Sequence, residues 1–245
     1  MKSLVFASRN FKEIIRDKIN LFFGLAFPVI IFLMLSLIQK NIPVKLFEPE
    51  QLTPGIAVFG LSFISLFSGM LIAKDRSSAF IVRLYVSPMK PKDFILGYTL
   101  PIIPLAAVQT IVCYIAGICM GMKITLNLLL AIILLIPADF LYIGLGLLLG
   151  SVLNEKQVGT VCGAVLTNLS AWLSGAWFDV ALGGKVFETI AYILPFANAV
   201  DMGRAAVSGS YADILKPFII VAAYAVVIYV AAVAVYSKKM KSDNK

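Results

Sequence analysis

Residues 193–209 of the 245-residue chain are ILPFANAVDMGRAAVSG, a half-apolar stretch between two long apolar runs. The stretch is too apolar for an ordinary solvated loop, yet it carries Pro195, Asn198, Asp201 and Arg204. It is also shorter than the roughly 20 apolar residues that a helix needs to cross a bilayer. Its structural role therefore depends on the kind of chain that surrounds it.

The composition of the whole chain is typical of an integral membrane protein. Hydrophobic residues make up 60% of the chain and charged residues 14%, against roughly 45–50% and about 25% in soluble domains. The net charge of +8 indicates topology signals, because no arginine-rich tract or aromatic–basic pattern indicates nucleic-acid binding. The chain has no histidine, and its three cysteines fall in apolar runs. Neither a metal site nor a disulfide framework is predicted.

Six segments are long and apolar enough to span a bilayer, and they predict one membrane domain over residues 1–245. The segments are 21–38, 54–73, 94–120, 126–150, 158–182 and 217–236. Most of the 21 Lys and Arg residues fall before the first segment, between the second and third, and after the last. The positive-inside rule then places both termini in the cytoplasm, which agrees with an even number of spans. The predicted fold class is an all-α integral membrane protein.

Residues 1–20 form a separate element before the first predicted span. Apolar side chains recur at helical spacing, and charged side chains fill most of the positions between them. The apolar set is Leu4, Phe11, Ile14, Ile15 and Ile19. This pattern predicts an amphipathic helix in the cytoplasmic membrane interface, with its basic residues toward lipid headgroups. The alternative is a plain basic flank that only sets the topology.

The longest cytoplasmic connection joins the second and third predicted spans. Residues 73–94 are AKDRSSAFIVRLYVSPMKPKDF, with an apolar core between charged ends. Pro88 and Pro91 would end any helix there. The pattern predicts a short cytoplasmic helix to which a partner docks, and a loop folded back on the membrane surface is the alternative. The docking candidates are Arg76, Phe80, Arg83, Leu84, Tyr85 and Pro88.

The sequence contains no motif of a catalytic or nucleotide-binding site. The phosphate-binding pattern G-x-x-x-x-G-K-[ST] is absent. A superficially similar run, GLGLLLG at residues 144–150, lies within the fourth predicted span. Its glycines, like Gly159 and Gly163, are expected to let helix backbones approach closely. The chain is therefore predicted to be non-catalytic and to bind no cofactor of its own.

Three polar residues within the predicted spans are candidates for function. Asp139 lies near the middle of the fourth span, where an aspartate costs roughly 3 kcal/mol on insertion scales. Acidic groups at such depth are functional candidates by default. The alternative is a structural aspartate that is protonated or hydrogen-bonded to a neighbouring helix. Gln109 and Asn168 are the other two candidates.

The order of these elements resembles the permease subunits of ATP-binding cassette (ABC) exporters of the type-two family, which have the type V exporter fold. After the fifth span, the similar motifs are Leu-Ser-Gly at 173–175, Ile-Ala-Tyr-Ile-Leu-Pro at 190–195, Arg204 and Gly209. In the cytoplasmic loop, the similar residues are Asp75, Arg76, Leu84, Ser87 and Pro88. The resemblance covers essentially the whole chain. The sequence departs from the family pattern where Asp75 replaces the usual glutamate, and a proline that often follows Leu-Ser-Gly is absent.

The resemblance implies a role for the opening stretch. In this family the segment between the fifth and sixth spans enters the membrane from outside and turns back, which here would be residues 184–209. Irregular backbone at membrane depth is tolerated where protein or a watery cavity satisfies it. Asp201 and Arg204 would then lie at the interface, where they are expected to pair. A plain external loop is the alternative.

The resemblance also implies a function and partners. It implies export of a small amphipathic substrate, such as a drug, an antimicrobial peptide or a lipid-like molecule, from a bacterial cytoplasm across the plasma membrane. A separate ABC ATPase subunit would bind ATP and magnesium, and a second copy or a paralogue would complete a dimer in the lipid bilayer. Two other classes stay open: a stand-alone ion-coupled transporter that uses Asp139, and a non-transporting membrane immunity or scaffold protein.

Overall fold

The protein is described here by a computed structural model, which covers residues 2–42, 47–78 and 90–242. Over these ranges the chain is helical and forms no strand, as the predicted fold class requires. The main helices are α1 (Lys2–Arg16), α2 (Lys18–Gln39), α3 (Pro49–Ser77), α4 (Pro91–Cys119), α5 (Leu126–Val152), α6 (155–173), α7 (Gly184–Ile193), α8 (Pro195–Ser208) and α9 (Leu215–Ser242). Short 3-10 turns at Val180–Gly183 and Tyr211–Asp213 precede α7 and α9.

The N-terminal helix α1 packs against α4. Phe6 and Asn10 are buried there, and the Asn10 amide donates a hydrogen bond to the Gly97 carbonyl oxygen at 3.0 Å. A Cβ atom at Gly97 would overlap the Phe6 ring, so the absent side chain permits this close approach. Leu4 and Phe11 are exposed on the other side. The helix thus buries one side against α4, whereas an amphipathic helix that lies in a membrane interface stays a prediction.

Five helices in the described part of the chain are long and apolar enough to cross a membrane. They are α2, α3, α4, α5 and the stretch Tyr211–Lys239, which contains most of α9. They overlap the predicted spans at 21–38, 54–73, 94–120, 126–150 and 217–236. In the most apolar part of α3, 89% of the residues are buried, whereas in the most apolar part of Tyr211–Lys239 only 17% are. Helix α3 is thus the centre of the bundle, and α9 presents most of its apolar surface outward.

The fifth predicted span, 158–182, differs from the helix that is observed. Helix α6 consists of consecutive helical stretches of six, six and seven residues and ends at Leu173. The chain then turns at Gly175, whose φ of +68° favours glycine. Helix α6 is roughly 28 Å long at 1.5 Å per residue, which is close to the thickness of a hydrocarbon core. The predicted end at residue 182 was therefore wrong, because the turn begins well before it.

The stretch 193–209 forms the second half of a sharply bent helix pair. The helical segment Val180–Ile193 and helix α8 meet at an angle of 91°. Pro195 opens α8, where the fixed φ of proline suits the first helical position. Gly209 ends α8 in the left-handed conformation, with φ of +79°. The bend agrees with a segment that turns back, while its entry into a membrane stays a prediction.

The glycine-rich run 144–150 serves helix packing, as the sequence predicted. Cβ atoms on Gly146 or Gly150 would overlap backbone carbonyl oxygens of α3. Helices α3 and α5 can therefore lie against each other only because these side chains are absent. The same expectation for Gly159 was wrong, because a Cβ atom there would meet nothing within 4 Å.

Candidate functional site

A groove rich in aromatic side chains lies between α2, α3, α6 and the turn after α6. Its volume is about 620 Å³. Aromatic residues that line it include Phe23, Phe27, Phe59, Phe63, Trp172 and Trp177. The Phe63 ring centroid lies 5.4 Å from that of Phe27 and 5.6 Å from that of Phe59. Among the described residues that line the groove, none is charged, so the groove offers flat apolar surfaces to a ligand.

Helix α6 forms one wall of this groove and also borders a second one. The second groove, of about 490 Å³, lies on the other side of α6 and is lined by Leu169 and Phe187 among others. Asn168 and Trp172 border both grooves. The Asn168 amide donates only within its own helix, to the Ala164 carbonyl oxygen at 2.8 Å, and its side chain is exposed. Helix α6 therefore presents a polar group in the middle of an open apolar surface.

Arg204 connects three elements at the end of the bundle where α3 begins. Its guanidinium donates to the Gln51 carbonyl oxygen of α3 at 3.0 Å and to the Gly175 carbonyl oxygen at 2.8 Å. Gly175 belongs to the turn that carries Trp177 into the groove. The expected Arg204–Asp201 ion pair is not formed, because the Asp201 carboxylate instead accepts a hydrogen bond from Tyr192 at 2.8 Å. Arg204 thus holds the turn after α6, which lines the groove, against the start of α3.

Replacing Arg204 with methionine is expected to loosen this end of the groove. The change keeps side-chain length but removes two charge-assisted hydrogen bonds, each of which contributes about 1.5–3 kcal/mol. Thermal unfolding in mild detergent should shift down by roughly 5–10 °C. The control is Lys185→Met, which removes an exposed cation and should leave the midpoint unchanged. Equal midpoints for Arg204→Met and wild type would show that Arg204 does not hold the turn after α6 against α3.

The other residues predicted for the re-entrant segment stabilise its bend. Asn198 is 4% exposed, and its amide donates to the carbonyl oxygens of Tyr192 and Leu194 at 3.2 and 3.1 Å. Tyr192 lies in the last turn of α7, where carbonyl oxygens lack a helical partner, and Leu194 is the residue between α7 and α8. Asn198 on α8 therefore caps α7 across the break that Pro195 creates. The structure brings all four predicted residues into this one region.

The two predicted intramembrane residues Asp139 and Gln109 lie apart from the groove. Asp139 is 4% exposed, and its Oδ1 atom has no hydrogen-bond partner in the described part of the chain. It lies in the first turn of the helical stretch Ile136–Val152, where a helix dipole favours a negative charge. The Gln109 amide donates to the Ala57 carbonyl oxygen at 3.3 Å and so links α4 to α3. Neither residue lines the aromatic groove.

At the opposite end of α3, Asp75 is shared by three helices. It is 2% exposed, although it lies next to the charged loop that is predicted to be cytoplasmic. Arg9 of α1 contacts its Oδ2 atom at 2.7 Å, and the Tyr98 hydroxyl of α4 donates to the same atom at 3.0 Å. Burial alone would lower the pKa of Arg9, but the hydrogen bond and charge of Asp75 outweigh it and raise that pKa. Arg9 therefore turns toward protein, not toward lipid headgroups as predicted.

Arg76 is the one docking candidate that lies within the described residues. Its guanidinium donates to the Gly150 carbonyl oxygen at 2.8 Å and the Leu153 carbonyl oxygen at 3.3 Å. Arg76 thus caps the C-terminal end of α5. The remaining candidates lie outside the described residues: Phe80, Arg83, Leu84, Tyr85 and Pro88. Sequence reasoning included Asp75 only as part of a motif and missed Arg9 and Tyr98, since no spacing signal links positions so far apart.

Comparison with known proteins gives one match. Residues 3–207 match the model of a family described as ABC-2 type transporter. Searches of curated proteins and of solved structures gave no match. The match covers most of the chain, and the fold adds several helices long enough to cross a membrane. This chain belongs to the ABC-2 type transporter family, as a multi-pass membrane permease component of the kind that associates with an ABC ATPase subunit.

Proposed function

We propose that the permease exports a small amphipathic molecule from the cytoplasm, driven by ATP that a separate ATPase subunit hydrolyses. The observation that carries this proposal is the uncharged aromatic groove between α2, α3 and α6. Its volume falls within the roughly 300–1,000 Å³ typical of small-molecule sites, which combine apolar walls with a few polar groups. Thr167 and Asn168 supply such polar groups here. Large hydrophilic polymers fit this groove poorly, whereas drugs, lipid-like molecules and short amphipathic peptides fit it well.

A second permease copy, or a paralogue, completes the pathway. The groove is open along one side, and α6 exposes Val165, Leu169 and Trp172 around Asn168. Amide side chains within membranes associate helices by hydrogen bonding across an interface. A partner helix on α6 would cover this apolar surface, give Asn168 a partner and enclose the groove. These features support a dimer whose pathway lies between the two copies.

The energy for transport comes from the ATPase subunit, because this chain contains no phosphate-binding loop. The ATPase, with its ATP and magnesium, docks on the cytoplasmic loop that includes residues 76–86 and on α1. Both termini then lie in the cytoplasm of a bacterial cell, and the bent pair α7–α8 enters the plasma membrane from outside. A partner can drive transport only by binding two permease states with different affinity. The states differ in the arrangement of α2, α3 and α6 around the groove.

Co-purification tests the partner assignment. The tagged chain is extracted in mild detergent from its native membrane after mild cross-linking, and bound proteins are identified by mass spectrometry. We expect to recover a soluble subunit with a phosphate-binding loop. The docking variant Leu84→Asp should lose this subunit while keeping the retention volume of the wild-type permease. Absence of any ATPase from the cross-linked wild type would contradict the proposal and would leave the ion-coupled and scaffold classes open in its place.

One observation favours a second candidate, an ion-coupled transporter. Asp139 is buried with an unpartnered oxygen, and buried membrane carboxylates mark proton relays in many transporters. Because Asp139 does not line the groove, we expect Asp139→Asn to keep ATP-driven transport within about twofold of wild type. The measurement is substrate accumulation in inverted membrane vesicles with ATP or with an imposed proton gradient. Loss of accumulation in this variant, together with gradient-driven accumulation in wild type, would establish the ion-coupled class.

A further inference from the structure

Asp75 is the point at which the N-terminal helix, the second predicted span and the third predicted span meet. Its carboxylate belongs to α3, accepts a hydrogen bond from Tyr98 of α4, and forms an ion pair with Arg9 of α1. At 2% exposure it is almost completely removed from solvent. Because Arg9 keeps 38% of its side chain exposed, solvent screens this pair only in part, less than it screens a fully exposed pair. One buried carboxylate near the end of α3 therefore connects all three helices.

The residues beside Asp75 extend this junction to α5 and α6. Arg76 donates to the Gly150 and Leu153 carbonyl oxygens at the end of α5. The Ser77 hydroxyl donates to the Glu155 carboxylate, which opens α6, at 2.5 Å. Three consecutive residues of α3 thus contact four other helices, of which α5 and α6 are contacted at their ends. Two of the helices connected here, α3 and α6, also form walls of the aromatic groove.

Helix α1 is held at this junction by packing as well as by charge. The Phe6 ring lies edge-on to the Tyr98 ring, with centroids 4.9 Å apart. The buried Asn10 amide donates to the Gly97 carbonyl oxygen of α4. These two contacts hold α1 on α4, and the Arg9–Asp75 pair connects α1 to a buried carboxylate of α3. This pair therefore links α1 to α3, one wall of the groove, in addition to the covalent connection of α1 to α2, which forms another wall.

We propose that Asp75 is the positioning residue that couples the ATPase to the groove: through Arg9 and Tyr98 it makes α1, α3 and α4 move as one unit. The inference rests on the proposed function, since it assumes that the ATPase pushes on α1 and on the loop after α3. Movement of α1 then displaces the cytoplasmic end of α3, and α3 carries the displacement to the groove. Without the shared carboxylate, α1 would move relative to α3, and less of its displacement would reach the groove.

The test measures transport per ATP hydrolysed by the permease–ATPase complex in proteoliposomes. Asp75→Asn keeps the side-chain shape and a group that can contact Tyr98, but it removes the charge. We expect at least a tenfold loss of transport per ATP, with ATPase binding and basal hydrolysis unchanged. Asp75→Glu keeps the charge and should recover at least half of wild-type coupling. A neighbouring control is Lys74→Gln, which removes an exposed ion pair to Glu13 of α1 and should change coupling less than twofold.

A second variant keeps the inference testable if Asp75→Asn misfolds. Tyr98→Phe keeps the ring that packs on Phe6 and removes only the hydroxyl group, so the fold should be unaffected. We expect a threefold or greater loss of transport per ATP. Wild-type coupling in both folded variants would overturn the inference while leaving the proposed function intact. A wild-type complex without ATP-driven transport would instead contradict the proposed function.

A distance measurement tests the junction independently of ATP. Spin labels are placed on Ser8 of α1 and Lys156 of α6, both of which are exposed, after the exposed Cys119 is replaced by serine. We expect one narrow distance distribution in the wild-type background and a distribution at least twice as broad with Asp75→Asn. Identical distributions would show that Asp75 does not fix α1, and they would overturn the inference even if no transport can be measured.

Discussion

Adding one methyl group at Gly146 is expected to remove much of the permease's stability. A Cβ atom there would overlap the Ser68 hydroxyl and the backbone carbonyl oxygen of Ser65, so α3 and α5 would have to separate. Overpacking of this kind costs about 1–3 kcal/mol, and more where backbone must move. Because α3 is the most enclosed of the long apolar helices, little room is available for adjustment. Gly146→Ala should lower the midpoint of thermal unfolding in mild detergent by roughly 5–10 °C.

The matched control is Gly159→Ala on α6, where a Cβ atom would meet nothing within 4 Å. Alanine favours a helix over glycine by about 1 kcal/mol, so this variant should unfold at or slightly above the wild-type midpoint. Both variants add the same atoms, and only the surroundings differ. Equal midpoints for the two variants would contradict the packing of α3 against α5.

Filling the aromatic groove is expected to stop transport without unfolding the permease. Gly163 lines the groove, and a Cβ atom there would make ordinary contacts with Leu66 at 3.5 and 3.7 Å. Gly163→Phe therefore places a ring in the groove without a backbone clash. We expect at least a tenfold loss of ATP-driven accumulation in inverted vesicles, while the ATPase subunit remains bound. The loss follows from occupied volume, since no charge or hydrogen bond is changed.

The control for this experiment lies one helical turn away. Gly159→Phe adds the same ring to α6 at a position that does not line the groove, and it should retain more than half of wild-type transport. Quenching of the intrinsic fluorescence provides a second readout, because both tryptophans of the chain line the groove. Substrate should quench wild type and Gly159→Phe but not Gly163→Phe. Full transport by Gly163→Phe would remove the groove from the pathway.

The parts of the fold that follow from local sequence could be predicted. Long apolar runs predicted the positions of the long helices. The small residues at 144–150 predicted a close helix contact, which is that of α3 with α5. Pro195 and Gly209, residue types that commonly begin and end helices, lie where the helix pair bends and ends. The end of α6 was misplaced because apolar residues continue past Gly175, whereas the backbone turns there. Likewise, the sequence could not tell that Gly159 faces open space, since only tertiary packing decides which helix face meets a neighbour.

The candidate site was predictable only in part. Residues with unusual polarity for their surroundings, such as Arg204 and Asn198, were identified, and both make specific backbone contacts. Their partners were not identified, because Arg204 contacts positions 153 and 29 residues away in the chain. The same reason applies to Arg9 and Asp75, which are 66 residues apart. The groove was also missed, because its aromatic residues come from three helices and a turn, and no one segment looks unusual.

The most direct test of the central claim is ATP-driven transport by the purified complex. The permease and its co-purified ATPase are reconstituted in proteoliposomes, and movement of an amphipathic fluorescent dye is followed with ATP and magnesium. We expect dye to move from the ATPase side to the opposite side only when ATP is hydrolysed, with no movement when a non-hydrolysable analogue replaces ATP or when the ATPase is omitted. Dye movement by the permease alone under a proton gradient, at a rate that ATP and the ATPase do not change, would contradict the claim.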